Sequence, residues 1–255
     1  MLFVPCRPAD RFVENKKKKT NRNSASTPLS AICKIPYISF MVYHPASKKI
    51  VMGAIAIIAW FAVIAQFYLI LQTTTQTGFS TSKTIINFFS YFTILNNLLV
   101  AVCLTSSLSS PSSKWGSFFS KATVQSAIAL YIFIVGLVYN LVLRGIVSVT
   151  GLDWVVDNLL HVVVPVLFVL YWFIYTARGV LQWKNIFPWL FFPVFYLIYS
   201  LIRGTVTGWY AYPFIHAANL GYRKVVINCF FVAFAFFGVG LLFIMINRYN
   251  KKPGR

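Results

Sequence analysis

Thr93 and His161 are the two side chains in this sequence that would cleave a covalent bond if they met. A threonine hydroxyl becomes a useful nucleophile when a neighbouring base takes its proton, and histidine exchanges protons near neutrality. Asp157 lies four residues before His161 and Pro165 four after it. On a helix the three share a face, and the carboxylate is placed to orient the imidazole. Around Thr93, the residues Asn87, Ser90 and Asn97 recur at intervals of three or four, with Asn96 beside them. Such a stripe offers amide donors for negative charge developing on an attacked carbonyl oxygen, a role open to Asn96 or Asn97. Asn140, Arg144 and Arg203 add hydrogen-bonding and charged groups. The same residues also admit a purely structural reading. Threonine and asparagine commonly join helices inside a bilayer, and a His–Asp pair can be a satisfied packing network.

The elements that must carry these groups are apolar. Of 255 residues, 58% are hydrophobic and 11% charged, against about 25% charged in an average soluble domain. The apolar residues gather in runs of about 20, the length a helix needs to cross about 30 Å of hydrocarbon. Six runs are predicted, at 51–71, 84–104, 123–143, 155–175, 186–202 and 225–246, the fifth carrying Pro188 and Pro193. The predicted fold is therefore all-α: a polytopic membrane bundle of six transmembrane helices. A basic tail over 1–49, whose composition predicts disorder, precedes a membrane domain over 50–247 and a short basic tail over 248–255. Met41 and Met52 are alternative starts. The opening MLFVP is too short for a signal-peptide core.

Lys and Arg set the orientation. Eighteen of the 23 belong to the N-terminal tail, the C-terminal end and the loops after the second and fourth runs; five lie on the other side. Basic flanks stay in the cytoplasm, so both termini are expected there. The formal charge of +19 thus points to anionic lipid headgroups as the partner and not to nucleic acid. Cys6, Cys33, Cys103 and Cys229 spell out no metal or disulfide framework. No phosphate loop or dinucleotide fingerprint is present, and no cofactor is implied.

On this topology the chemistry-bearing residues share a layer. Thr93 lies about 13 Å along from Thr84 and His161 about 9 Å along from Val155, both counted from the extracytoplasmic side at 1.5 Å per residue. Asn140 and Arg144 end the third helix on that side, and Arg203 ends the fifth. In the loop GWYAYPFIH, Trp209, Tyr210 and Tyr212 read as interfacial anchors, Gly208 and Pro213 as shaping a re-entrant lid, and His216 as a surface residue. His44 lies before the membrane region. Gly136, Gly145 and Gly179 are expected to permit helix approach or termination.

These segments also resemble a known family. YFTILNNLL around Thr93, DNLLHVVVPVLF around His161 and FYLIYSLIRGTVTGWYAYPF near the end of the fifth helix are similar, in order and placement, to segments of the androgen-induced and androgen-dependent TFPI-regulating protein family. The chain most resembles the family's bacterial six-helix members over roughly residues 50 to 246. The resemblance implies an intramembrane threonine hydrolase of a bacterial plasma membrane acting on fatty acid esters, with Thr93 as nucleophile and His161 as the essential histidine. Arg203 or Arg144 would then hold a substrate carboxylate. Two positions depart from the animal pattern: Asn96 stands where aspartate is common, and Arg203 where the segment is uncharged and aromatic or rich in histidine. Two other classes are compatible with the residues themselves. One is a transporter binding a small molecule or ion in the polar layer; the other is a structural or regulatory membrane protein. Oligomeric state is not encoded in any of these features.

Overall fold

With no water to satisfy an exposed peptide group, a chain crossing lipid closes its hydrogen bonds within each segment. The computed structural model, which describes residues 45–78, 80–146 and 149–249, shows helices and no strand among them. Six helical stretches are long and apolar enough to span a bilayer: Ala46–Thr77, Phe92–Ser109, Ala122–Leu143, Gly151–Tyr175, Trp183–Thr207 and Tyr222–Tyr249. The protein is an integral membrane protein with an all-α polytopic bundle. Of the segments read as tails, residues 1–44 and 250–255 lie outside the described residues, as do Cys6, Cys33, Met41 and His44. The first helix begins at Pro45, inside the stretch assigned to the N-terminal tail.

Spans adjacent in sequence pack together: the first on the second, the second on the third, the third on the fourth, and the fifth on the sixth, which also rests on the third. Their shared core holds Val100, Leu104, Leu130, Val164, Phe168 and Trp172, all almost completely buried. In the second and third spans 44% of the most apolar window is buried, against 17% in the fifth and 22% in the sixth. The last two helices are therefore peripheral, and exposed Phe191, Phe195, Phe230 and Phe234 give them a surface suited to lipid.

Two departures from the sequence reading bear on the site. The first helix does not end near Leu71 but runs to Thr77. Its polar run stays helical because the threonines return their protons to the helix: Thr73 Oγ1 to Leu69 O at 3.1 Å, Thr74 Oγ1 to Ile70 O at 2.7 Å and Thr77 Oγ1 to Thr73 O at 2.8 Å. The second apolar run, expected as one helix, is two: Thr81–Phe88 and Phe92–Ser109. The residues between them are held from the fifth span. Tyr196 donates to the Ser90 carbonyl at 2.9 Å. Ser90 Oγ gives its proton to Ile86 O at 2.6 Å and lies 2.8 Å from the Tyr199 hydroxyl. A break inside a membrane persists only where neighbours replace the lost backbone partners, and these tyrosines do so.

The loop after the fifth span folds inward. Gly208 closes that helix at φ 72°, a left-handed turn favoured by glycine. The aromatic segment then lies back along the helix, and a Cβ on Gly204 would come within 2.1 Å of the Tyr210 ring. Ala211 and Ile215 are buried, and Asn228 Nδ2 of the sixth span donates to Phe214 O at 2.8 Å. Gly204→Ala should thus displace this loop, costing about 1–3 kcal/mol as overpacking does. Thermal unfolding in detergent should show a fall of several degrees. Gly238→Ala, where a new Cβ meets nothing within 4 Å, should leave the midpoint unchanged.

Candidate functional site

The fourth span is built around an irregularity. It is α-helical over Gly151–Asn158, passes through a π turn at Leu159–Val163, and is α-helical again over Val164–Tyr175. The turn widens because Pro165 has no N–H to give to the carbonyls a turn behind it. Two asparagines from neighbouring spans supply the missing donors. Asn97 Nδ2 reaches Leu160 O at 3.2 Å, and Asn140 Nδ2 reaches His161 O at 3.3 Å. Gly136 makes the approach feasible, since a Cβ there would lie 3.2 Å from both His161 O and Pro165 Cβ. The third span ends in its own π turn, Tyr139–Leu143, beside this one.

Held this way, the His161 ring has fixed neighbours. Its Nδ1 lies 3.0 Å from Asp157 Oδ1 and 2.9 Å from the Asp157 carbonyl. Tyr139 stacks on the ring, with centroids 3.9 Å apart and planes 13° from parallel, and its hydroxyl donates to Asp157 Oδ2. A proton on Nδ1 directed at two acceptors leaves the Nε2 lone pair as the basic one. Nε2 has no hydrogen-bond partner among the described residues.

Thr93 occupies the second position of the helix Phe92–Ser109. At a helix start the first N–H groups have no carbonyl behind them and carry partial positive charge. The Thr93 N–H donates to the Tyr212 hydroxyl at 3.2 Å, and Thr93 Oγ1 lies 3.5 Å from the same oxygen. Burial pushes the Tyr212 phenol up from its ordinary pKa, so it keeps its proton at neutral pH and remains a donor. With Thr93 N–H donating into its oxygen, that proton has two nearby acceptors to turn to, Thr93 Oγ1 and the Tyr196 hydroxyl.

A cavity of about 280 Å³ is walled by Thr93, Tyr91, Tyr139, Asp157, His161 and Tyr212 among others. The hydroxyl and the imidazole, from different spans, therefore share one space, with no direct hydrogen bond between them. A second cavity of about 150 Å³ shares Thr93, Tyr139 and Tyr212, also meets Tyr196 and Cys229, and is otherwise apolar, running between Ile134, Val138, Leu190, Val194 and Phe236. Thr93 stands where the two meet.

The other expected site residues fall into separate groups. Asn96 and Asn97 are fully buried, but their amide protons go to backbone: Asn96 Nδ2 to Phe92 O at 2.7 Å, and Asn97 Nδ2 to Thr93 O at 2.9 Å as well as Leu160 O. The side chain that reaches Thr93 from the loop after the fifth span is Tyr212. Arg144 bonds Asn158 Oδ1 at 3.0 Å and lies 5.6 Å from the Tyr139 ring centroid, outside the cavity wall. Arg203 lies on the far side of the helix break, donating to Asn87 Oδ1 at 2.6 Å and covering Trp209 at 4.2 Å. Trp209 and Tyr212 both set their rings edge-on to Tyr91. The stripe of Asn87, Ser90, Thr93 and Asn97 is thus divided by the break and is not one helical face. Tyr139 and Tyr91 were missed in the sequence. Tyr139 could have been found from its place beside Asn140, one stride from the end of the third span; nothing local marks Tyr91. Among known protein families, curated proteins and solved structures, none matches this chain.

The role of Pro165 can be tested by coupling. Asn140→Ala leaves the His161 carbonyl without its donor and should cost about 1 kcal/mol or more. Pro165→Ala returns an N–H to the turn, so Asn140→Ala should cost less than half as much in that background. Denaturation midpoints of the four proteins in one detergent give the coupling, and equal costs in both backgrounds would contradict the account.

Proposed function

We propose that this protein is an intramembrane threonine hydrolase acting on lipid esters, and that it belongs with the bacterial relatives of the family it resembles, in the plasma membrane. The observation that supports the reading best is the position of Thr93. Thr93 lines both the cavity bordered by the His161 imidazole and a cavity lined mainly by apolar side chains.

In the proposed cycle the acyl chain of a lipid ester enters the apolar cavity laterally from the bilayer, leaving its carbonyl beside Thr93. Thr93 Oγ attacks the carbonyl carbon as His161 Nε2 takes its proton. The tetrahedral oxyanion accepts the Tyr212 O–H, beside the positive end of the helix that starts at Phe92. The imidazolium, steadied by Asp157, then protonates the departing alkoxide as the C–O bond breaks, leaving an acyl-threonine. Water, deprotonated by the same imidazole, attacks this ester and releases the fatty acid and the threonine hydroxyl. The residues need no metal or organic cofactor for these steps.

Purified protein should react with a fluorophosphonate probe and cleave a fatty acyl ester. Thr93→Ala should abolish both, and His161→Ala should slow both by about 10²-fold or more, the usual size of a general-base contribution. Asp157→Asn should reduce turnover while the protein keeps its unfolding midpoint to within a few degrees. Equal labelling of native protein and a folded Thr93→Ala variant would falsify the nucleophile assignment.

A further inference from the structure

A third cavity, a chamber of about 440 Å³, adjoins the site, and side chains bearing hydroxyl, amide and ammonium groups stand among its lining residues. It is bounded by Thr73, Thr74 and Thr77 at the end of the first span, by Lys83, Thr84 and Asn87 of the short helix Thr81–Phe88, and by Tyr91 and Trp209. Tyr91 and Ile70 also border the cavity containing Thr93 and His161, so the two spaces adjoin. The cavity containing Thr93 and His161 therefore adjoins both of the others, through Thr93 and Tyr212 on one side and Tyr91 and Ile70 on the other. Since Thr77 ends the first span, the chamber sits where hydrocarbon gives way to headgroups.

The hydrogen-bonding character of its wall is specific. Thr73 and Thr77, which line the chamber, have already spent their hydroxyl protons on carbonyls of their own helix, so they meet a ligand as acceptors, while Thr74, bonded to Ile70 O, is buried. The Thr74 oxygen also lies 3.0 Å from Thr84 Oγ1. Asn87 Oδ1 is occupied by Arg203, while its Nδ2 has no partner among the described residues and is left as a donor. The Lys83 ammonium adds another. A wall that offers both acceptors, at Thr73 and Thr77, and donors, at Asn87 and Lys83, suits a ligand carrying both on adjacent carbons. An anion, which only accepts, would meet the threonine lone pairs unfavourably.

The geometry points to this chamber as a subsite for a polyol headgroup, so that the ester cleaved at Thr93 is a fatty acyl ester of glycerol or a similar polyhydroxylated alcohol. This identification of the leaving alcohol rests on the hydrolase reading. The bond broken is the ester C–O, and the alkoxide leaving into the chamber takes its proton from the His161 imidazolium. In this arrangement a glycerol ester would place its chain in the apolar cavity, its carbonyl at Thr93 and its free hydroxyls toward Thr73 and Thr77.

The test has two independent arms, both on the full chain in lipid nanodiscs, comparing native protein with a Thr73→Val/Thr77→Val double variant. Valine keeps the branched shape and removes the hydroxyl. In the first arm, native mass spectrometry follows binding of 1-O-hexadecylglycerol, an ether that no hydrolase cleaves, against hexadecyl methyl ether. The glycerol ether should be retained at least tenfold better, and the double variant should lose that preference. In the second, 1-monooleoylglycerol should be hydrolysed in preference to methyl oleate. The double variant should raise KM for the glycerol ester about tenfold while leaving methyl oleate unchanged. Equal retention of the two ethers, or a preference untouched by the double variant, overturns the subsite even if both esters are cleaved. Preferential retention of oleoyl lysophosphatidic acid, lost in Lys83→Met, overturns it in favour of an anion site. Selective ether binding without cleavage of any ester keeps the subsite and removes the hydrolase.

Discussion

Inside a bilayer each peptide carbonyl that loses its helical donor must find another, and this requirement shapes the site. The bundle departs from α-helix within the membrane domain in two consequential places: the break before Phe92 and the π turn through His161. At each, side chains from other spans take over the hydrogen bonding, with Tyr196 at Ser90 O, Asn97 at Leu160 O and Asn140 at His161 O. The residues that stabilise the irregular backbone thereby fix the positions of Thr93 and His161. Asn97 is the clearest case, since one amide bridges the Thr93 carbonyl and the span that carries His161.

Polarity inside the bundle is otherwise arranged to avoid exposing charge to lipid. An aspartate at membrane depth is costly unless partnered. Asp157 receives a hydroxyl from Tyr139 and faces the imidazole, and both side chains are largely covered, at 18% and 15% exposure. The stacked Tyr139 ring shields one face of His161. The imidazole therefore has two of its freedoms removed, rotation and tautomer, and keeps one open nitrogen.

Much of the architecture was legible in the sequence because hydropathy reports it directly. Runs such as those at 123–143 and 155–175 have one stable solution in lipid, and the spans found there agree with the expected ones to within a few residues. Pairing Thr93 with His161 at one depth needed only the rise of a helix, and they do share a cavity. Less legible was everything decided by tertiary partners. Ser90 and Tyr91 carry no breaker signal such as Gly or Pro; the chain leaves helical geometry there because of tyrosines more than 100 positions away. The asparagines were read as donors to a ligand because their chemistry permits it, but a backbone carbonyl nearby is a competing acceptor that no spacing rule reveals. Continuation of the first helix through its threonines was hidden for the opposite reason: QTTTQT has weak helix propensity, yet the helix runs on to Thr77, with Thr73, Thr74 and Thr77 each bonded to a carbonyl one turn back.

Tyr212 reaches Thr93 from the loop joining the last two spans, and this has a consequence for biosynthesis. Thr93, Asp157 and His161 are all supplied by the first four spans, which emerge from the ribosome earlier. Until the final hairpin is inserted and its aromatic loop docks, the nascent bundle holds Thr93 and His161 but lacks the side of the cavity that Tyr212 supplies. Order of synthesis alone thus makes closure of that space coincide with the arrival of the C-terminal third.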